Sequence, residues 1–370
     1  MKSSYRWAVT LLTFSTLLLL AGCGTGNNTQ TNSSASPSQD VRTITDSAGR
    51  EVTIPETVSR VVCVNVGALR YTCYLQAQDL VVGVEDYEQE STLSRLYNYV
   101  NAHLFAELPV IGGNGEPYPE AIIAAGPDVI VAAAFTAGDA DDLQARTGIP
   151  VAVVPGSDTT LDESAYETIR LLGEIYGRED RATELTDYLN SVKDDLERRT
   201  AGIPDGDRPS VYVGGVSFKG LHGFAGTEAG YGPLALLHAD NLADATGQAG
   251  AFDIDTEQVL SWDPDVIFLD YDGLALIQED YREDPGYYQG LTAVREGRVY
   301  AQIPFRSYAS NLETALADAY YAATVLYPEE FADVDPAEKA GEIFTALLGT
   351  NPYDDLKEAG YAFGPIQLGA

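Results

Sequence analysis

The chain has 370 residues, enough for two or three domain-sized units. Its 45% hydrophobic and 21% charged content is ordinary for a globular protein and excludes a disordered, collagen-like or multi-span membrane chain. With 56 acidic against 22 basic residues the net charge is −34 at pH 7, so the surface repels nucleic-acid phosphates and anionic lipid, and any membrane attachment has to be covalent or hydrophobic.

The N-terminus carries Lys2 and Arg6, then an apolar run from Ala8 to Leu20 that is short for a bilayer span and suits a secretory signal. Leu20-Ala21-Gly22-Cys23 closes it, small residues before a cysteine in the manner of a lipobox. Residues 1–22 are therefore expected to be a signal peptide, with Cys23 lipidated and holding the mature chain to the membrane by buried acyl groups. From Gly24 to Gln39 the sequence is Gly, Thr, Asn, Ser, Gln and Pro with one Ala and no charge, too polar to fold, and 23–40 is expected to be a flexible tether. Cys63 lies in an apolar run and Cys73 on an expected helix; two buried thiols are favoured over a disulfide, and no Cys/His spacing marks a zinc site.

A hairpin is expected over Thr45–Pro55, then strands at Arg60–Asn65 and Leu80–Val84. A repeated unit follows. Pro119-Glu120-Ala121-Ile122-Ile123-Ala124-Ala125-Gly126-Pro127-Asp128-Val129-Ile130-Val131 matches Thr256-Glu257-Gln258-Val259-Leu260-Ser261-Trp262-Asp263-Pro264-Asp265-Val266-Ile267-Phe268. Each runs from a Glu through a short helix, breaks at Pro-Asp, and enters a continuous apolar strand of the kind buried in a parallel sheet. A strand at Val151–Val154 ends the first half and one at Val211–Gly214 opens the second. Between them Leu161–Arg199 is helical by its apolar spacing, with a break at Tyr176-Gly177-Arg178. Further helices are expected over Asn311–Leu326 and Pro336–Leu348.

The lipobox, the two Glu-helix-Pro-Asp-strand units, the helical connection, the Thr45–Pro55 opening and Leu108-Pro109-Val110-Ile111-Gly112-Gly113 resemble the iron-siderophore and cobalamin type of ABC-importer substrate-binding protein. That resemblance implies an α/β protein of two Rossmann-like lobes with parallel sheets, joined by one long helix, with the ligand cleft between them. The expected division is an N-terminal lobe at 41–158, a linker helix at 159–200 and a C-terminal lobe at 201–370. It implies a monomer that takes no cofactor of its own, captures an iron chelate, haem or corrinoid outside the cell, and delivers it to an ABC permease dimer with its ATPase. In relatives the acids matching Glu120 and Glu257 sit at the tips of the lobes and dock onto permease arginines.

The ligand loops are expected at the carboxyl ends of the strands, where parallel sheets leave a crevice. Arg70, Lys219, His222 and Arg306 lie in or beside such loops, with Tyr71, Phe135, Tyr231, Tyr271 and Tyr308. Cations with aromatic rings suit a flat anionic metal chelate. A bare metal ion or an oxyanion is the alternative, although the chain has only three histidines in unlike contexts. Catalysis is not expected. Ser217, His222 and Asp272 could form a triad on paper, but Gly215-Val216-Ser217-Phe218-Lys219 is no nucleophile elbow, and Gly112–Gly115 is too short for a phosphate loop.

Overall fold

The computed structural model describes residues 40–113, 115–156 and 160–369. The signal segment, Cys23 and the tether through residue 39 lie outside the described residues. Among those described, no helix is long and apolar enough to cross a membrane.

The first strands, β1 (Val41–Thr45) and β2 (Glu51–Pro55), form the expected antiparallel hairpin. The N-terminal sheet follows: β3 (Val61–Val64), β4 (Val81–Glu85), β5 (Val110–Gly113), the short β6 (Glu116–Pro117), β7 (Val129–Ala133) and β8 (Val151–Val154), in spatial order β6-β5-β4-β3-β7-β8. All pairings in it are parallel except β5 with β6. The C-terminal half contributes β9 (Ser210–Gly214), β10 (Gly226–Ala229), β11 (Asp240–Asn241), β12 (Gly250–Asp253), β13 (Val266–Asp270) and β14 (Val299–Gln302). There β11-β9-β13-β14 make a parallel sheet, while β10 and β12 form a separate antiparallel ribbon.

The continuous apolar strands are explained by burial on both faces. Val61 and Cys63 point into one core cluster and Val62 and Val64 into another, as the two-residue period of a strand requires. In the second lobe Val211 and Val213 point inward and Tyr212 outward. The inner cluster holds residues of both lobes, so the halves share one core.

The Pro-Asp repeat has a structural cause beyond stopping a helix. Asp128 Oδ2 accepts from the Ser59 and Arg60 backbone N–H groups at 2.8 and 2.9 Å and from Ser59 Oγ at 3.0 Å. In the second lobe Asp265 Oδ2 accepts from Ser210 N at 2.9 Å and Ser210 Oγ at 2.8 Å. In each lobe the aspartate that opens one central strand fastens the start of its neighbour, β3 or β9.

The connection is two helices, Glu163–Tyr176 and Glu179–Thr200. Gly177 caps the first in the left-handed conformation at φ 64°, which places the break where the sequence suggested. The second helix, 22 residues, is about 33 Å long. Two helices near the C-terminus, Leu312–Leu326 and Pro336–Leu348, pack on each other, and the latter returns to the first lobe. There Gln76 Nε2 donates to the Leu347 carbonyl at 3.2 Å, and Arg181 holds the carbonyls of Tyr74 and Ala346. One edge of each sheet is covered. Ser47 N donates to Val153 O at 3.0 Å beside β8, and the tail donates Ile366 N to Val299 O and accepts Ala301 N on Gly364 O beside β14.

Candidate ligand site

The carboxyl ends of β9 and β14 open on a depression of about 970 Å³. Ser217, Phe218, Lys219, Gly220 and Leu221 line one wall, and Arg306, Ser307, Tyr308 and Ala309 another, with Gly250 and Ala251 at the margin. Three non-glycine residues of this lining have positive φ: Lys219 at 52°, Tyr308 at 50° and Ala309 at 68°. Such conformations cost free energy and persist where the fold holds them, which is common at ligand sites. Leu221 is 64% exposed, a large apolar side chain left at the rim.

Three of the nine expected ligand residues, Lys219, Arg306 and Tyr308, are brought together here. Lys219 is exposed and forms no ion pair among the described residues. Arg306 makes a bidentate pair with Glu228 of β10, its Nε donating to Oε2 at 2.8 Å and Nη2 to Oε1. Tyr308 stacks on Tyr87 of the first lobe, ring centroids 4.3 Å apart.

The other six lie elsewhere. Arg70 is fully buried in the seam between lobes: Nε donates to Asn311 Oδ1 at 3.0 Å, Nη2 to the carbonyls of Ser307 and Tyr308, and its guanidinium lies 5.1 Å from the Tyr97 ring centroid. It braces the ligand loop from behind. His222 is adjacent to the depression, but Nδ1 lies 2.8 Å from Asp253 Oδ1 and Nε2 2.9 Å from the Phe218 carbonyl oxygen, with the ring stacked on Phe218 at 3.8 Å. It shapes the loop that carries Phe218 and Lys219. Tyr71 and Tyr231 are 1% exposed and belong to the core, Tyr71 edge-on to Tyr74 and Tyr231 edge-on to Phe305 with its hydroxyl 3.3 Å from Gln302 Oε1. Phe135, after β7, packs against the outer cluster of the first lobe. Tyr271 is not in a loop. Asp270 accepts from Asp272 N at 2.9 Å and so caps a helix over Tyr271–Glu283, whose first ring sends its hydroxyl to the Ala362 carbonyl at 2.5 Å.

The triad drawn from the sequence does not form, because His222 bonds Asp253 and Asp272 accepts from Ser94 Oγ at 3.4 Å. No group of three or more His, Cys, Asp or Glu side chains gathers to hold a metal among the described residues. Cys63 and Cys73 are both free and buried, and burial pushes the Cys63 thiol up to about 12.

Glu120 and Glu257 are exposed, each in the first turn of a short helix, Pro119–Ala125 and Thr256–Trp262. Helices that lead into the amino ends of parallel strands start at the sheet's carboxyl edge, so each acid lies at the carboxyl edge of its own sheet.

Sequence reasoning missed the buried acids behind the seam, for which no pattern was available. Glu88 accepts from Tyr97 Oη at 2.7 Å and lies 3.5 Å from Arg95, whose guanidinium sits 5.4 and 5.0 Å from the Tyr87 and Tyr308 ring centroids. Glu85, 2% exposed, accepts from Asn65 N at 2.9 Å and Gly115 N at 3.1 Å, yet burial pushes its carboxyl up to about 7. The folded state then holds this proton to about pH 7, whereas the unfolded chain releases it near 4.5. Its contribution is most favourable below about pH 4.5 and declines by up to about 3 kcal/mol as pH rises to 7. Urea unfolding at pH 5 and pH 7.5 should show Glu85→Gln with a smaller decline than wild type. An equal decline in both would mean that Glu85 titrates normally.

The comparisons agree with this architecture. The model of the family described as periplasmic binding protein matches residues 61–303. The molybdate-binding protein MolA of Haemophilus influenzae is 24% identical over 332 residues, covering 84% of this chain and 92% of MolA. Its molybdate-bound structure has a TM-score of 0.65 at 22% identity, covering 84% of this chain and 98% of that one. The uncharacterized ABC transporter substrate-binding lipoprotein YvrC of Bacillus subtilis is 24% identical over 305 residues, 81% of this chain and 89% of YvrC. A periplasmic solute binding protein of Veillonella parvula has a TM-score of 0.69 at 19% identity, covering 84% and 94% of the two chains. Two lobes with parallel sheets, a depression at the strands' carboxyl ends and a family match over most of the folded body lead to one conclusion: the chain belongs to the periplasmic binding protein family, the extracytoplasmic substrate-binding components of ABC transporters.

Proposed function

We propose that this protein captures a metal chelate, an iron-siderophore complex, haem or a corrinoid, and delivers it to an ABC permease dimer with its ATPase, tethered to the membrane by lipid on Cys23. The observation that carries the reading is the depression of about 970 Å³ edged by Phe218, Leu221, Tyr308, Lys219 and Arg306. This is the size of a site for a drug-sized molecule. Rings and an exposed leucine offer cover to apolar faces, which a bare ion or a small tetrahedral oxyanion does not have.

A second reading, an oxyanion receptor, is supported by the likeness to molybdate-binding MolA. Titration of the mature chain with ferric chelates, haemin, cobalamin and molybdate, followed by tyrosine and Trp262 fluorescence, separates the two. Saturable binding of a chelate at micromolar or lower concentration is expected. Tight binding of molybdate with no chelate response would replace the proposal by the second reading.

Delivery has its own test. Glu120→Ala with Glu257→Ala should leave chelate affinity unchanged and lower uptake in cells by about tenfold or more, since rim charges act on association with the partner. Uptake at the wild-type rate would remove both acids from the docking surface.

A further inference from the structure

We propose that the substrate carries little or no net negative charge: a neutral or singly anionic chelate, in preference to a polyanionic one or a divalent oxyanion. This rests on the chelate reading above and narrows it.

The four cations expected to meet an anion have mostly been spent on the protein itself. Arg70 is sealed in the seam, its guanidinium bonded to Asn311 and to the carbonyls of Ser307 and Tyr308. His222 has a protein partner on each ring nitrogen. Arg306 reaches the wall of the depression, but Glu228 stands directly behind it, 1% exposed and bonded to it through both oxygens. That pair is neutral as a unit, and its carboxylate would be stranded in the interior if a ligand drew the guanidinium away. Lys219 remains, exposed and without an ion pair among the described residues. Among the described residues the wall therefore presents about one net positive charge.

A trianion entering such a site leaves most of its charge uncompensated while giving up hydration, which is strongly unfavourable. The chain as a whole, with net charge −34, opposes its approach as well. A neutral or singly charged chelate meets neither obstacle. It gains from Phe218, Leu221 and Tyr308 and can satisfy Lys219 with one oxygen.

The test uses the mature chain and three probes: a neutral ferric trihydroxamate, a trianionic ferric tris-catecholate, and molybdate. Wild type should bind the neutral probe at least about tenfold more tightly than either anion. Glu228→Gln removes the internal counter-charge, so the tris-catecholate should gain about 10–100-fold while the trihydroxamate changes little, the range of one charge-assisted contact. Because Glu228 is buried, Lys219→Glu serves as a second variant on an exposed loop. It should weaken the tris-catecholate by at least about tenfold more than it weakens the trihydroxamate, which loses one contact but meets no like charge. Tighter wild-type binding of the tris-catecholate or of molybdate overturns the charge assignment, with the former leaving the chelate reading intact. Binding of none of the three overturns the chelate reading and this inference with it.

Discussion

Replacing Arg70 with Ala should lower the stability of the ligand-free protein by about 3–5 kcal/mol, the cost of lost charge-assisted bonds together with a cavity at a fully buried site. The side chain reaches from the helix over Ala68–Tyr74 in the first lobe to Asn311, Ser307 and Tyr308 in the second. Its removal takes the guanidinium from the Tyr308 carbonyl and the Asn311 amide oxygen, and leaves the Ser307 carbonyl with Asn311 Nδ2 at 3.3 Å. Nearby, Tyr74 donates to Glu313 and its hydroxyl oxygen accepts from Leu312 N at 3.1 Å, so the same seam also holds the start of the Leu312–Leu326 helix. Lysine should rescue little, because one ammonium cannot reproduce the spread of a guanidinium fork across three acceptors. Urea unfolding without ligand is the measurement. An unchanged midpoint accompanied by lost chelate affinity would show that Arg70 faces the ligand after all, as its place after the first strand suggested. A lowered midpoint with looser ligand binding is expected, since the loop carrying Arg306 and Tyr308 loses its brace.

Arg70 also marks where the sequence stops being legible. The framework could be read because it depends on local rules: continuous apolar runs for doubly covered strands, Pro-Asp for the helix-to-strand break, Gly177 for the break in the connection. The repeat at Glu120 and Glu257 was visible for the same reason, although the fastening of Ser59 and Ser210 by Asp128 and Asp265 was not. What a cation does depends on a partner far along the chain. Arg306 is 78 residues from Glu228, and Arg70 is 241 from Asn311. No window of sequence holds both members of either pair. Tyr231 and Tyr71 read as ligand rings because aromatic residues near Gly-rich loops suit either a cleft or a core, and only packing decides. Tyr271 failed for a different reason. Asp270 ends a strand and caps the next helix with no residue between, so Tyr-Asp-Gly reads as a turn. Phe218 and Leu221 carry no sequence mark that separates an exposed apolar side chain in a Gly-rich loop from a buried one, and the strained backbone at Lys219, Tyr308 and Ala309 has no signature in non-glycine residues.

Removing salt should unfold or severely weaken this protein. With 56 acids against 22 bases, exposed carboxylates far outnumber the cations that can pair with them. The Glu179–Thr200 helix shows the problem locally. Arg199 serves Asp195 and Asp333, Arg198 serves Asp195, and Arg181 serves Glu184, while Asp187, Asp194 and Glu197 remain exposed on the same helix. Folding brings these like charges closer than they are in the extended chain, so their repulsion acts against the compact state. At about 0.01 M salt the Debye length is about 30 Å and the repulsion runs across the whole molecule, whereas at about 1 M it is about 3 Å and little beyond contact pairs is felt. The melting temperature should rise by roughly 10 °C or more across that range, which for a chain of this size corresponds to about 7 kcal/mol. Sodium chloride should act far more strongly than sucrose at a matched osmolality, because sucrose strengthens burial without screening charge. A flat melting temperature in chloride would mean that the acids are spaced widely enough not to interact, and equal effects of chloride and sucrose would assign the gain to burial. The same titration bears on ligand recognition. Screening removes the long-range penalty on anions but leaves the Glu228–Arg306 pair in place, so discrimination against a polyanionic chelate should persist in salt where the stability defect has already vanished.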